Sequence, residues 1–191
     1  IDGFNGLLTI NLIIINSILA YINLADGINE FSVIIIGQII VLFSFLLFNF
    51  PSAKLFLGDS GSYLLGSLVA LNVIITNNLN PDYSSFFFCT LLFYLFFEVF
   101  FSFFRKIIQK KSPIHPDNNH LHMLIFKKVS FIFGQDKGNY INSLIINLGY
   151  LSFILPALVF AKDPVVSRYW FFSLIIIYLV IYLRLYRLTK N

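Results

Sequence analysis

Charge, cysteine and strand-like alternation are what this chain of 191 residues has least of. Only 12% of its residues are charged against 58% apolar, a balance that no soluble domain of this size could cover with polar surface. One cysteine, Cys89, excludes an internal disulfide and leaves the redox compartment unread; a small apolar helix residue is its simplest role. Stretches such as "SLIIIYLVIYLRLY" do not alternate apolar and polar residues, which argues against a transmembrane β-barrel. The first apolar run has no basic leader and no small-residue cleavage site, so it does not read as a signal peptide. The net charge of +4 is explained by its distribution, described below, and no nucleic-acid partner is expected.

What the chain has in abundance is long apolar runs. About 20 consecutive apolar residues cross a bilayer as a helix. Runs meeting or approaching that length occur near residues 7–24, 32–50, 62–77, 84–104, 139–160 and 168–187. The third is the shortest and contains Gly66. The expected fold is therefore all-α: a polytopic bundle of about six transmembrane helices forming a single domain over residues 1–191. Because the chain opens with Ile inside a motif, it is expected to be the C-terminal portion of a longer protein.

Six spans place the loops alternately on two sides. Residues 1–6, 51–61, 105–138 and the C-terminus share one side, with Lys54, Arg105, Lys106, Lys110, Lys111, Lys127, Lys128, Lys137 and Lys190. Residues 25–31, 78–83 and 161–167 share the other, which offers Lys162 with Arg168 at its edge. Basic residues mark the cytoplasmic side, so the first set is expected there. Three polar motifs then fall on the cytoplasmic face: "IDGFNG" (1–6), "NFPSAKLFLGDSGSY" (49–63) and "SPIHPDNNHLHM" (112–123). "NLADGINE" (23–30) is similar in composition to the first but falls on the opposite side, among ordinary turns.

Each motif admits a structural and a chemical reading. Asp59, between Gly58 and Gly61, could cap the following helix. It could equally be a ligand for Mg²⁺, which binds through one or two carboxylates plus substrate phosphates and keeps several waters. The glycines would let backbone approach a phosphorylated substrate, at a helix N-terminus whose field favours anions. His115, His120 and His122 could be solvated loop residues or could hold phosphate oxygens, with Lys110 and Lys111 beside them. His-x-His lacks the further ligands a zinc site needs. Glu98 is the one acidic residue inside a predicted span; it reads as functional or as the partner of a nearby basic group.

Taken together, these motifs resemble the polyprenyl-phosphate N-acetylhexosamine-1-phosphate transferases, the membrane family that includes phospho-N-acetylmuramoyl-pentapeptide transferase. "IDGFNGL" is similar to the end of that family's Asn-x-x-Asp-Gly-x-Asp/Asn-Gly-Leu motif, and "NFPSAKLFLGDSGSYLLG" to its most specific signature. "SPIHPDNNHLHM" resembles the histidine loop in the form of the aminosugar-phosphate branch, and Glu98 with Arg105 matches the helix before that loop. The resemblance spans residues 1 to about 123 and implies roles. Asp59 would bind Mg²⁺ (or Mn²⁺). Asp2 and Asn5 would face the uridine nucleotide and reacting phosphates. Asn49 and Phe56 would lie near the nucleotide, with Phe56 against uracil, and Gly58 and His115 would contribute to substrate binding. His120 and His122 would hold the diphosphate. Four positions depart from the common pattern: Asn5 for Asp, Glu98 for Asp, Asn118 for Arg and Met123 for His.

The reaction so implied moves an N-acetylaminosugar-1-phosphate from a UDP-sugar to undecaprenyl phosphate at the cytoplasmic face of the bacterial inner membrane, starting a lipid-linked cell-surface glycan. A homodimer is admitted by the same reading. Two other classes remain open on the residues alone: a transporter or channel with Glu98 as an intramembrane ion site, and a scaffold without catalytic activity.

Overall fold

The structure, a computed structural model, describes residues 3–113, 115 and 117–190. Asp2 thus lies outside the described residues. The described residues form seven helices in chain order: α1 Leu7–Ala25, α2 Asn29–Asn49, α3 Gly58–Leu79, α4 Ser85–Ile108, α5 Leu121–Phe133, α6 Gln135–Val159 and α7 Pro164–Lys190. All but α5 are long and apolar enough to cross a membrane. Each of the six apolar runs became one of them, and α3 begins four residues before its run, which draws "GDSG" into its first turn.

Local chemistry sets several of the ends. Ser84 precedes α4 and its hydroxyl accepts from the Phe86 amide at 3.2 Å. Asp163 accepts from the amides of Val165 and Val166 at 2.9 and 3.1 Å, and Pro164 follows it at the first helical position, where its missing N–H costs nothing. At the other end of α4, Lys110 takes the left-handed conformation (φ 54°) and the Lys111 amide bonds back to the Lys106 carbonyl at 2.9 Å. That wrap usually selects glycine. Here it turns the chain sharply back toward the bundle.

Helix α1 is the most enclosed, with Leu7, Leu12, Ile15, Leu19 and Ile22 fully buried, while α2 and α7 are exposed along most of their length. An apolar stripe gives no preference for one helix over lipid, so buried amides supply the specificity. Asn72 of α3 donates to Asn16 of α1 (3.0 Å) and Gln38 of α2 (2.6 Å). Asn23 donates to Thr76 and accepts from Asn80. Asn147 of α6 donates to the Leu7 carbonyl at 3.1 Å. Two close approaches demand glycine. Gly6 has φ +77°, and a Cβ there would stand 2.8 Å from the Phe50 ring; a Cβ on Gly138 would stand 2.8 Å from the Ser130 backbone, where α5 and α6 meet.

One expectation is corrected. Residues 105–138 are not a loop. Arg105 and Lys106 belong to the last turn of α4, and a 13-residue helix, α5, packs against α6 and α7. Leu121, Leu124 and Val129 are buried, so the segment is held in the bundle by its own apolar stripe.

Candidate functional site at the histidine loop

The segment between α4 and α5 folds back along α4. Glu98 lies ten residues before the end of that helix, about 15 Å at the usual rise, and the loop returns far enough to meet it. The Glu98 carboxylate is buried and accepts three hydrogen bonds: Oε1 from His120 Nδ1 (3.0 Å) and the Leu121 amide (2.9 Å), Oε2 from the Tyr178 hydroxyl. A carboxylate only accepts, so this contact puts a proton on His120 Nδ1. Nε2 of the same ring is 3.8 Å from Asp117 Oδ1.

A second anchor sits two helical turns further along α4. Arg105 grips Asp117 with both terminal nitrogens (2.8 and 3.0 Å) and donates to the Ser102 hydroxyl at 3.1 Å. Asp117 Oδ1 also accepts from the Asn119 amide. Partial burial pushes the Asp117 carboxyl up, but the Arg105 hydrogen bonds, the Asn119 amide and the adjacent charge outweigh it, and the group titrates at about 2. The Tyr182 hydroxyl donates to the Asn119 carbonyl at 3.0 Å, one turn after Tyr178 on α7. Lys106 donates to the carbonyls of Pro113 (3.2 Å) and His115 (2.7 Å).

His122 is buried rather than solvated. Its ring stacks on His120 (5.3 Å between centroids, planes 8° apart), meets Phe4 edge-on at 5.6 Å, and places Nδ1 3.3 Å from the Tyr94 hydroxyl. Burial pushes its imidazolium down, to about 4, and the Glu98 charge offsets this only in part. The reading of these histidines as water-facing loop residues fails for His122. His115 is exposed.

Residues 4–6 join the three motifs. Phe4 packs on His122 and on Phe126 of α5. Asn5 donates from its side chain to the Pro51 carbonyl at 2.6 Å and from its backbone to Asn139 Oδ1 at 2.7 Å. The Gly6 amide donates to Asn49 Oδ1 (2.6 Å), and the Asn49 amide group donates to the Leu55 carbonyl (2.7 Å). Asn49 is therefore buried and engaged on both sides by backbone, a strap holding the second motif to the first. Between Asn5, Pro51, Ser52, Asn139 and Tyr140 opens a polar cavity of about 500 Å³. An apolar cavity of about 230 Å³ lies beneath the histidine loop, among Tyr94, Leu121, Tyr150, Phe153 and Tyr178.

Phe56, Gly58 and Asp59 stand apart from this network. Phe56 is 64% exposed, and a Cβ on Gly58 (φ +63°) would meet nothing within 4 Å. Asp59 lies in the first turn of α3, exposed, after Leu57 at the cap position. Asp59 is thus the second residue of the helix rather than its cap. Among the described residues, no hydrogen bond or ion pair joins residues 55–60 to the histidine loop, and no three His, Cys, Asp or Glu residues cluster as metal ligands. Tyr94, Tyr178 and Tyr182 were not singled out in the sequence. Their signal was the spacing of Tyr178 and Tyr182, four apart on one helical face.

Residues 1–77 match the family model described as glycosyl transferase family 4. Over 132 residues the chain is 34% identical to the undecaprenyl-phosphate alpha-N-acetylglucosaminyl 1-phosphate transferase of Thermotoga maritima, covering 68% of this chain and 38% of that protein. It is 41% identical over 76 residues to the phospho-N-acetylmuramoyl-pentapeptide-transferase of Leuconostoc mesenteroides (39% and 23% of the two chains). It is 42% identical over 71 residues to a putative UDP-N-acetylglucosamine–dolichyl-phosphate N-acetylglucosaminephosphotransferase of Sulfolobus acidocaldarius (36% and 22%). The matched stretches thus span well under half the length of these relatives. No solved structure matches the chain.

Proposed function

The chain is a member of glycosyl transferase family 4, and on that footing we propose that it carries the histidine-loop part of a lipid-linked glycan phosphotransferase. The reaction would move an N-acetylaminosugar-1-phosphate from a UDP-sugar to undecaprenyl phosphate. An acceptor phosphate oxygen forms a bond to the β-phosphorus, the bond from that phosphorus to the bridging oxygen breaks, and UMP leaves with the electron pair. The observation that carries this reading is the joining of all three motifs through Phe4, Asn5 and Gly6. Residues distant in sequence are held at one end of a bundle of membrane-length helices, where a soluble and a lipid-anchored substrate can meet.

His120 would present Nε2 to a phosphate oxygen, its orientation fixed by Glu98. His122, stacked on it and kept neutral by burial, would contribute a hydrogen bond rather than a charge. The apolar cavity beneath them suits the first units of a prenyl chain. Asn5 would act at the rim of the polar cavity, Phe56 against the nucleobase, and Asn49 as a strap rather than a direct contact. Mg²⁺ fits the donor set: Asp59 is an exposed carboxylate with no side-chain partner among the described residues, at a helix N-terminus able to receive phosphate. Asp59, together with substrate phosphates, would hold it. Bound there, the ion would supply neutralisation of the diphosphate charge. The basic residues of this end support a location at the cytoplasmic side of the bacterial inner membrane. The ion-site reading of Glu98 is disfavoured, since three donors already fill its carboxylate.

The test is UMP release by the full-length protein with both substrates and saturating Mg²⁺. Asp59→Asn removes the charge and keeps the shape, and it should cut turnover by about 100-fold or more while the unfolding midpoint stays put. Near-normal turnover with unchanged Mg²⁺ dependence would return Asp59 to a surface residue.

A further inference from the structure

Two side chains of α4 meet the two stacked histidines in matching register. Tyr94 and Glu98 are one turn apart on the same face of that helix, their Cβ atoms about 5 to 6 Å from each other. The His120 and His122 rings lie nearly parallel with centroids 5.3 Å apart, and each turns its Nδ1 toward one of the pair. Glu98 meets His120 at 3.0 Å, and the Tyr94 hydroxyl meets His122 at 3.3 Å. One of these α4 groups can only accept a hydrogen bond; the other can accept or donate.

An account of the protons decides the second contact. Tyr94 is buried, and among the described residues His122 Nδ1 is the only hydrogen-bond partner of its hydroxyl. Buried O–H groups are paired in native proteins. A proton on His122 Nδ1 would make the tyrosine oxygen the acceptor and leave the hydroxyl hydrogen without one. Both groups are satisfied only if Tyr94 donates to a bare Nδ1. Burial keeps the His122 imidazole neutral, its titration moved down to about 4, so a ring with no proton on Nδ1 carries it on Nε2. Glu98 imposes the reverse on His120, whose proton sits on Nδ1.

We propose that Tyr94 is a positioning residue that fixes His122 as the Nε2–H tautomer, opposite to the tautomer Glu98 imposes on a neutral His120. Stacked side by side, the two rings then present one donor and one lone pair at Nε2 instead of two equivalent edges. The functional half of this inference rests on the transferase reading above. His122 would donate from Nε2 to a substrate oxygen without first taking up a proton, while His120 donates from Nε2 only when its ring is charged. Among the described residues no hydrogen bond occupies His122 Nε2, which leaves that N–H for a ligand. Tyr94 acts only through the His122 ring.

The test reads protons directly. The full-length protein, labelled with ¹⁵N at histidine and held in lipid bilayers, is followed by solid-state ¹⁵N spectra at neutral pH, where protonated and bare ring nitrogens are well separated. His120→Gln and His122→Gln assign the signals. His122 should show a bare Nδ1 and a protonated Nε2, and His120 a protonated Nδ1. Tyr94→Phe removes the hydroxyl and keeps the ring; the His122 signals should then spread over both tautomers while those of His120 stay in place. Turnover in that variant should fall about three- to tenfold, the weight of one hydrogen bond between neutral groups. A proton on His122 Nδ1 in the wild type overturns the assignment, and that outcome needs no variant to fold. Unchanged His122 signals in Tyr94→Phe overturn it as well, and wild-type turnover beside mixed tautomers overturns the positioning role. Because the spectra need no substrate, the tautomers are decided whether or not the transferase reading holds.

Discussion

The two loops that carry the sequence motifs are built in opposite ways. The histidine loop is held from neighbouring helices by Glu98, Arg105, Lys106 and Tyr182, and Tyr178 bonds to Glu98 behind it. The segment from Leu55 to Asp59 is hydrogen-bonded to Asn49 at its start and half-buried at Leu57, while Phe56, Gly58 and Asp59 are exposed. The difference separates preorganisation from readiness. Groups that orient an anion work best when their directions are fixed before it arrives. On the function proposed, a carboxylate that takes a hydrated cation gains from having no protein cation to release first.

The contrast breaks first at Glu98. Glu98→Ala would strip the acceptor from His120, the Leu121 amide and Tyr178 together, leaving buried donors unpaired. The expected cost is about 3 kcal/mol or more of stability, with loss of turnover. Asp59→Asn should abolish turnover at unchanged stability. Equal unfolding midpoints for the two variants would mean the loops are not differently built.

A second test uses pH. The His122 imidazole titrates at about 4 in the folded protein against an ordinary value near 6.5, so the unfolded chain binds the extra proton first. Stability from this group is therefore complete above about pH 6.5, declines as pH falls and is gone below about 4, a swing of at most about 3 kcal/mol. Asp117 acts in the same direction lower down, between its ordinary value and about 2. In His122→Phe the slope of the unfolding midpoint between pH 6.5 and 4 should flatten. An unchanged slope would place the titration elsewhere and weaken the case for a buried, neutral His122.

These interactions were unevenly legible beforehand. Six apolar runs announce six helices because membrane helices need length and hydropathy alone. The α5 helix was hidden because 13 residues are too few for a span and its polar leader reads as loop, although Leu121, Leu124, Ile125 and Val129 already follow helical spacing. The motifs marked His120, His122 and Asp59, but no motif says which atoms are taken. Asn49 shows the limit: its type fits a ligand contact equally well as a strap, and only its placement between Gly6 and Leu55 decides. The role of Tyr178 depends on contact between residues 80 apart in the chain, and no local pattern carries that.

The smallest expected effect lies at the opposite end of the bundle and sharpens the comparison by contrast of ion pairs. Lys162 stands 3.6 Å from Asp26, joining the α1–α2 and α6–α7 turns, and lies 4.7 Å above the Tyr83 ring. Both charged side chains are substantially exposed, at 51% and 31%, whereas Arg105 and Asp117 are at 7% and 16%. Water screens the exposed pair and side-chain ordering offsets much of its attraction, so Lys162→Met should cost no more than about 1 kcal/mol and less at high salt. Arg105→Met, by contrast, would leave a partly buried carboxylate without its two nitrogens and free the loop from Ser102 as well. The measurement is the unfolding midpoint of both variants at low and high ionic strength. If the Lys162 change proves as damaging as the Arg105 change, the two ends of the molecule are held alike, and the claim that order is concentrated around the histidine loop fails.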